Sequence, residues 1–159
     1  MEKGTIQIYH GMGQGKSSAA LGQAVRRAID GETAIVIQFM KGQQNTEYLK
    51  KLEPEVQIFR FERTEEGFDD LTEEQKQKEK INIINGLNYA KKVLATGECN
   101  LLVLDEVLGI IDEGMVSEQD VIDVLENRSI STNVILTGYK ITPGLFEMAD
   151  SVLNVMPEK

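Results

Sequence analysis

One stretch constrains this chain more than any other: Tyr9-His10-Gly11-Met12-Gly13-Gln14-Gly15-Lys16-Ser17-Ser18. A β-branched, apolar run from Thr5 to Tyr9 leads into it. Small and apolar residues (Ala19, Ala20, Leu21, Ala24, Val25) leave it at helical spacing. A strand, a glycine loop ending in Gly-Lys-Ser and a helix, in that order, form the context of a phosphate-binding loop. Glycines let the backbone curl until several N–H groups face one point, and the positive end of the following helix adds to their field. Gly11, Met12, Gly13, Gln14, Gly15, Lys16, Ser17 and Ser18 are therefore the candidate nucleotide contacts. Lys16 is expected to reach the outer phosphates, and the Ser17 hydroxyl to ligate a magnesium ion. His10 stands where the commonest form of the loop has its leading glycine, and Gly11 and Gly13 partly compensate.

The second informative motif is Leu101-Leu-Val-Leu-Asp105-Glu106. Apolar residues followed by acids at a strand end are the companion of a phosphate loop, because carboxylates there hold magnesium directly or through water. Asp105 and Glu106 join Ser17 as the candidate metal ligands. Spacing alone does not say which carboxylate touches the ion.

The remaining pattern alternates strands and helices. Strands are expected at Thr5–Tyr9, Thr33–Met40, Val56–Phe61, Leu101–Leu104, Val134–Leu136 and Val152–Val155. The run TAIVIQFM is continuously apolar and β-branched, as in strands covered on both faces. Helices are expected at Lys16–Ile29, over Asn45–Leu52, from the capping box Thr72–Gln75 to Thr96-Gly97, after Ser117, and near Pro143–Met148. Such alternation implies an α/β fold: a mostly parallel sheet of about six strands with helices on both faces. With 159 residues the chain is expected to be a single nucleotide-binding domain spanning 1–159. In this fold class ligands bind at the carboxyl ends of the strands. The glycine loop, Lys41, the connection Glu62–Leu71, Asp105-Glu106 and Thr137-Gly138 all follow strands, and should converge on one edge.

Composition excludes several classes. The net charge of -9 repels nucleic acid and anionic membranes, so neither is an expected partner. A nucleotide site must be locally positive against that background, with Lys16, Arg26, Arg27 and Lys41 the nearest cations in sequence. No run is long and apolar enough to span a membrane, and the chain enters its first strand without a signal-like segment. Cys99 is the only cysteine, which fits a reducing cytoplasm and excludes an internal disulfide. It precedes a buried strand and reads as inert packing. His10 is the only histidine and reads as a loop residue, so a Ser-His-Asp triad is set aside. Arg26 reads equally as a solvated helix charge or a ligand contact, and Lys41 equally as a strand-end lysine or a phosphate partner. Phe68, after Gly67 in an acidic loop, would either tuck under that loop or grip a flat second substrate.

These motifs, in this order, resemble the P-loop ATP:cob(I)alamin (corrinoid) adenosyltransferase family. The similarity covers nearly the whole chain: Tyr9 to Gly22, Val36–Gly42 (VIQFMKG), Leu101–Glu106 (LLVLDE), Val134–Gly138 (VILTG) and Ala149-Asp150. A loop lacking the leading glycine is usual there. The resemblance implies a P-loop NTPase fold of the recombinase-ATPase kind and transfer of the adenosyl group of ATP to reduced cobalt. It also implies a homodimer and a flavoprotein reductant. It gives the loop and Lys16 to the triphosphate, Ser17 and Glu106 to magnesium, and Arg26 to the nucleotide. Lys16 and Phe68 become the residues acting at the reacting groups.

The chain also departs from the family pattern. It has no tryptophan, where the loop bearing Gly67-Phe68 usually carries one, and Asp70 stands near that position. Gln14 replaces a common lysine and Tyr139 a usual arginine. Two other functions share the same motifs: a small P-loop phosphotransferase or ATPase, in which Glu106 orients water, and a non-catalytic nucleotide- or corrinoid-binding regulator.

Overall fold

The computed structural model describes residues 3–39, 47–61 and 70–159. Six strands form one parallel sheet: β1 (Ile6–His10), β2 (Ala34–Gln38), β3 (Val56–Arg60), β4 (Leu101–Asp105), β5 (Asn133–Gly138) and β6 (Ser151–Asn154), in spatial order β3-β2-β4-β5-β1-β6. The helices are α1 (Lys16–Ile29), α2 (Glu73–Thr96), α3 (Val107–Asp112), α4 (Glu118–Glu126) and α5 (Pro143–Met148), with a 3-10 turn at Glu47–Leu52.

Side chains of the central strands alternate between two cores, which is why these strands read as unbroken apolar runs. Ala34, Val36, Leu101, Val103, Ile135 and Tyr9 pack on the α1 face, where Ala20 and Ala24 are fully buried. Alanines at the contact let α1 approach the sheet closely. Ile35, Ile37, Leu102, Leu104, Val134 and Leu136 face the other side and join residues of α2, α3, α4 and α5. The close approach there is at Gly86 of α2, where a Cβ would lie 2.8 Å from the Phe39 ring and 2.9 Å from that of Phe61. Tyr89, one turn on, stacks obliquely against Phe59 with ring centres 5.0 Å apart.

The chain's local signals set the helix ends. Thr72 accepts from Gln75 N, and the Gln75 side chain accepts from Thr72 N. Ser117 and Asp120 form the same reciprocal box at the head of α4. Gly97 ends α2 in the left-handed conformation, at φ 64°. The expected strands are all present, with no end displaced by more than two residues, and α1 has the expected bounds. The expected helix over Asn45–Leu52 is a 3-10 turn, and Asn45 lies outside the described residues. α3 is an addition, discussed below. Among the described residues no helix is long and apolar enough to cross a membrane.

The far edge of the sheet holds Cys99, 5% exposed. Burial, assisted by the nearby Glu98 charge, pushes its thiol from 9.0 up to about 12. Burial also raises Tyr9 and Tyr89. Each group holds its proton more tightly folded than unfolded, so each contributes stability that is intact below its unfolded pKa and lost as pH rises through the folded one. For Cys99 the window runs from 9.0 to about 12. We expect urea titrations across that window to show stability falling by up to about 1.4 kcal/mol per pH unit from this thiol. Cys99→Ala should show a shallower fall, and equal slopes would exclude the thiol as a source.

Candidate functional site

The loop from Gly11 to Gly15 joins β1 to α1 at the carboxyl edge of the sheet. Gly15 is the N-cap of α1 with φ 102°, a left-handed conformation that a residue with a side chain adopts at a cost. No side chain caps α1 and its first turn carries no acid, so the helix start faces the loop with its N–H groups and positive dipole. Lys16 folds back over the loop, and its Nζ donates to Gly11 O at 2.7 Å and to Gly13 O at 2.6 Å. The cation that would meet a phosphate is thus held at the loop's centre by two carbonyls.

The Asp105 carboxylate, 2% exposed, ties three elements together. Its Oδ1 accepts from Ser17 Oγ of α1 at 2.8 Å and from Thr137 Oγ1 of β5 at 2.7 Å. Thr137 Oγ1 in turn accepts from Glu106 N at 2.9 Å. Phe39 N donates to Asp105 O, which continues the edge toward β2. Asp105 therefore shares a site with the expected metal ligand Ser17. Glu106, half-buried, follows with φ 65°, the one described non-glycine residue in the left-handed region. Such a conformation costs roughly 1–2 kcal/mol. It is the turn that lets α3 start at once after β4. Gly138 lies where a Cβ would collide with the Leu108 side chain, so α3 and the end of β5 fit only with glycine there.

The structure brings together Gly11, Met12, Gly13, Gln14, Gly15, Lys16, Ser17, Ser18, Asp105 and Glu106 at one edge. Gly11 and Gly13 are buried, while Met12, Gln14 and Ser18 are exposed. It does not bring Arg26 there. Arg26 is exposed in the last turn of α1, ten residues past Lys16, or about 15 Å along the helix axis. Lys41 and Phe68 lie outside the described residues. Thr137, expected at this edge with Gly138, is the site residue to which the motifs gave no role. A threonine closing an apolar strand beside the Asp strand was the available signal.

The solved structures similar to this chain share its fold. A KaiC-like protein from Pyrococcus horikoshii superposes with a TM-score of 0.60 at 19% identity, over 99% of this chain and 75% of that one. The flagellar accessory protein FlaH from Methanocaldococcus jannaschii gives 0.64 at 12% identity, over 97% of this chain and 72% of that one. The architecture is that of the P-loop NTPases. In sequence, the chain is 29% identical to the corrinoid adenosyltransferase of Escherichia coli K12, over 99% of this chain and 79% of that protein. It is equally similar to corrinoid adenosyltransferase CobA of Salmonella typhimurium, with the same coverage, and to the Pseudomonas aeruginosa corrinoid adenosyltransferase over 97% and 75% of the two chains. The sequence model described as ATP:corrinoid adenosyltransferase BtuR/CobO/CobP matches residues 2–159. The chain belongs to the ATP:corrinoid adenosyltransferase family.

Proposed function

We propose that this chain transfers the 5′-deoxyadenosyl group of ATP to the cobalt of a reduced corrinoid, releasing triphosphate. The observation that carries the reading is the junction of Ser17, Asp105 and Thr137 beside a glycine loop, in a chain of this family. Co(I) of the substrate brings the electron pair and attacks the ribose C5′. The C5′–O bond breaks, and its electrons leave on the triphosphate. No proton has to move, so the protein needs neither a base nor a nucleophile of its own. Its work is to align the attack and stabilise the departing charge.

The residues fit that work. Lys16, already aimed at the loop's centre, would exchange the Gly11 and Gly13 carbonyls for phosphate oxygens. The hard oxygen donors of Ser17, Asp105 and Glu106 suit magnesium, which would neutralise phosphate charge when bound. Among the described residues no group of three or more His, Cys, Asp or Glu side chains could hold a metal alone. An ion completed by phosphate oxygens and water suits such a site. Lys41 would add a phosphate contact, and Phe68 would pack against the corrinoid. Arg26 belongs to this reading only as a contact to a ligand part remote from the phosphates. The reading further takes 1–159 as one nucleotide-binding domain, acting as a cytoplasmic homodimer with a flavoprotein as reductant.

The test is to mix the protein with ATP, magnesium and chemically reduced cobalamin and follow the absorbance of a forming cobalt–carbon bond. Triphosphate as coproduct supports the transfer, and ADP instead would favour a phosphotransferase or ATPase. The absence of tryptophan favours one second reading, a nucleotide-binding regulator. Tight ATP binding without bond formation would select it. Lys16→Ala should weaken ATP binding roughly 10- to 100-fold, the loss of a charged hydrogen bond or two. Calorimetry showing unchanged affinity would remove the loop from the site. Phe68→Ala should raise the KM for corrinoid by about threefold or more while leaving ATP affinity intact. A parallel loss of both would deny Phe68 a specific role.

A further inference from the structure

We propose that Val155, just past β6, is the positioning residue of the phosphate loop, and that ATP affinity depends on its backbone. A five-residue loop costs about 1–2 kcal/mol per residue to order, so something must hold it in one shape before phosphate arrives. Val155 N donates to His10 O at 2.7 Å, and Gly13 N donates to Val155 O at 2.8 Å. Its two backbone groups thus bracket the first turn of the loop. A third bond, Gly11 N to Tyr139 O at 3.1 Å, fixes the residue between them to the end of β5.

The glycines divide accordingly. A Cβ on Gly11 would collide with Asn154 Oδ1 and Val155 O. On Gly13 it would lie 2.9 Å from both Val155 O and Val155 Cγ1. On Gly15 it would meet nothing within 4 Å. Gly15 is glycine for its backbone angle and Gly13 because Val155 lies against it, while Gly11 answers to both, with φ 119° and Asn154 and Val155 against it. The Gly13 N–H points to that segment and the Gly11 N–H to Tyr139 O, which leaves phosphate to the amides at the far end of the loop and the head of α1. The brace is also exposed to perturbation. β6 is an edge strand that pairs with β1 alone, and Leu153, at 53% exposure, and Met156, at 62%, flank it.

The proposal rests on the loop being the ATP site. The experiment compares Val155→Pro, which removes the N–H given to His10, with Val155→Ala, which keeps both backbone groups. Val155→Pro should raise the ATP Kd and KM by about tenfold or more, because the His10 carbonyl loses its donor and the loop its brace. Val155→Ala should bind ATP like the unmodified protein, and the KM for corrinoid should hold in both. Equal ATP affinity in the two variants overturns the proposal, provided Lys16→Ala weakens binding. If Lys16→Ala is also without effect, the nucleotide reading itself fails. Should Val155→Pro not fold, hydrogen exchange on the unmodified, nucleotide-free protein decides. Protected amides at both Gly13 and Val155 support the brace, and a rapidly exchanging amide at either one overturns it.

Discussion

The site depends on a carboxylate withdrawn from water. Asp105 is all but inaccessible, and burying such a group is costly unless donors surround it. Its Oδ1 takes two hydroxyl donors from different elements, Ser17 on α1 and Thr137 on β5. One atom thereby sets the position of the helix start relative to two neighbouring strands. The Thr137 hydroxyl that donates to it is also tied to the local strain. Glu106 N must reach Thr137 Oγ1, and the chain does so by turning through a left-handed residue into α3. The Asp-Glu pair at the end of β4 is therefore two different things: Asp105 is a fixed anchor, and Glu106 is a carboxylate carried on a strained turn.

Much of this was legible in the residues because the local signals agree. Gly15-Lys16 and Asp30-Gly31 bound α1 where the helix lies, the capping box of Thr72 with Gln75 is formed as written, and Ser117 caps α4 as expected, with Asp120 completing a box that the residues did not announce. The unbroken apolar runs of β2 and β4 gave away a doubly covered parallel sheet. α3 was not legible. Val107–Asp112 is six residues with no cap signal, and its start relies on a backbone angle at Glu106 that no residue preference announces. The braces on the loop were equally hidden, since Tyr139 and Val155 act through backbone atoms and their side chains carry no signal.

Arg26 is a different case. The resemblance gives it to the nucleotide, and the helical rise carries it about 15 Å along α1 from Lys16, so a contact there would be to a part of the ligand remote from the phosphates. Arg27 beside it is already engaged with Glu32 at 3.0 Å, a pairing between partly exposed groups at the helix's remote end. The cation the loop does possess is Lys16, and it is held by carbonyl oxygens, which are neutral acceptors. Those bonds keep the ammonium centred without cancelling its charge. In a chain of net charge -9, that keeps one positive group aimed where an anion must arrive.

What the chain lacks among nucleophiles then becomes consistent with its chemistry. Cys99 is buried at the opposite end of the sheet, and its thiol is pushed to about 12, so it is a packing group at neutral pH. His10, the single histidine, is occupied through its backbone, its carbonyl accepting from Val155. A reaction in which one substrate brings the electron pair and the other carries its leaving group ready-made asks neither residue for help. On the proposed reading it asks for a rigid seat for three phosphates, and the buried Asp105, the bracketed glycines and the alanine-lined contact of α1 would contribute that rigidity. Alignment of the attacking metal with C5′ is then worth more than any acid or base the protein could offer, because the barrier lies in geometry and in charge leaving the carbon.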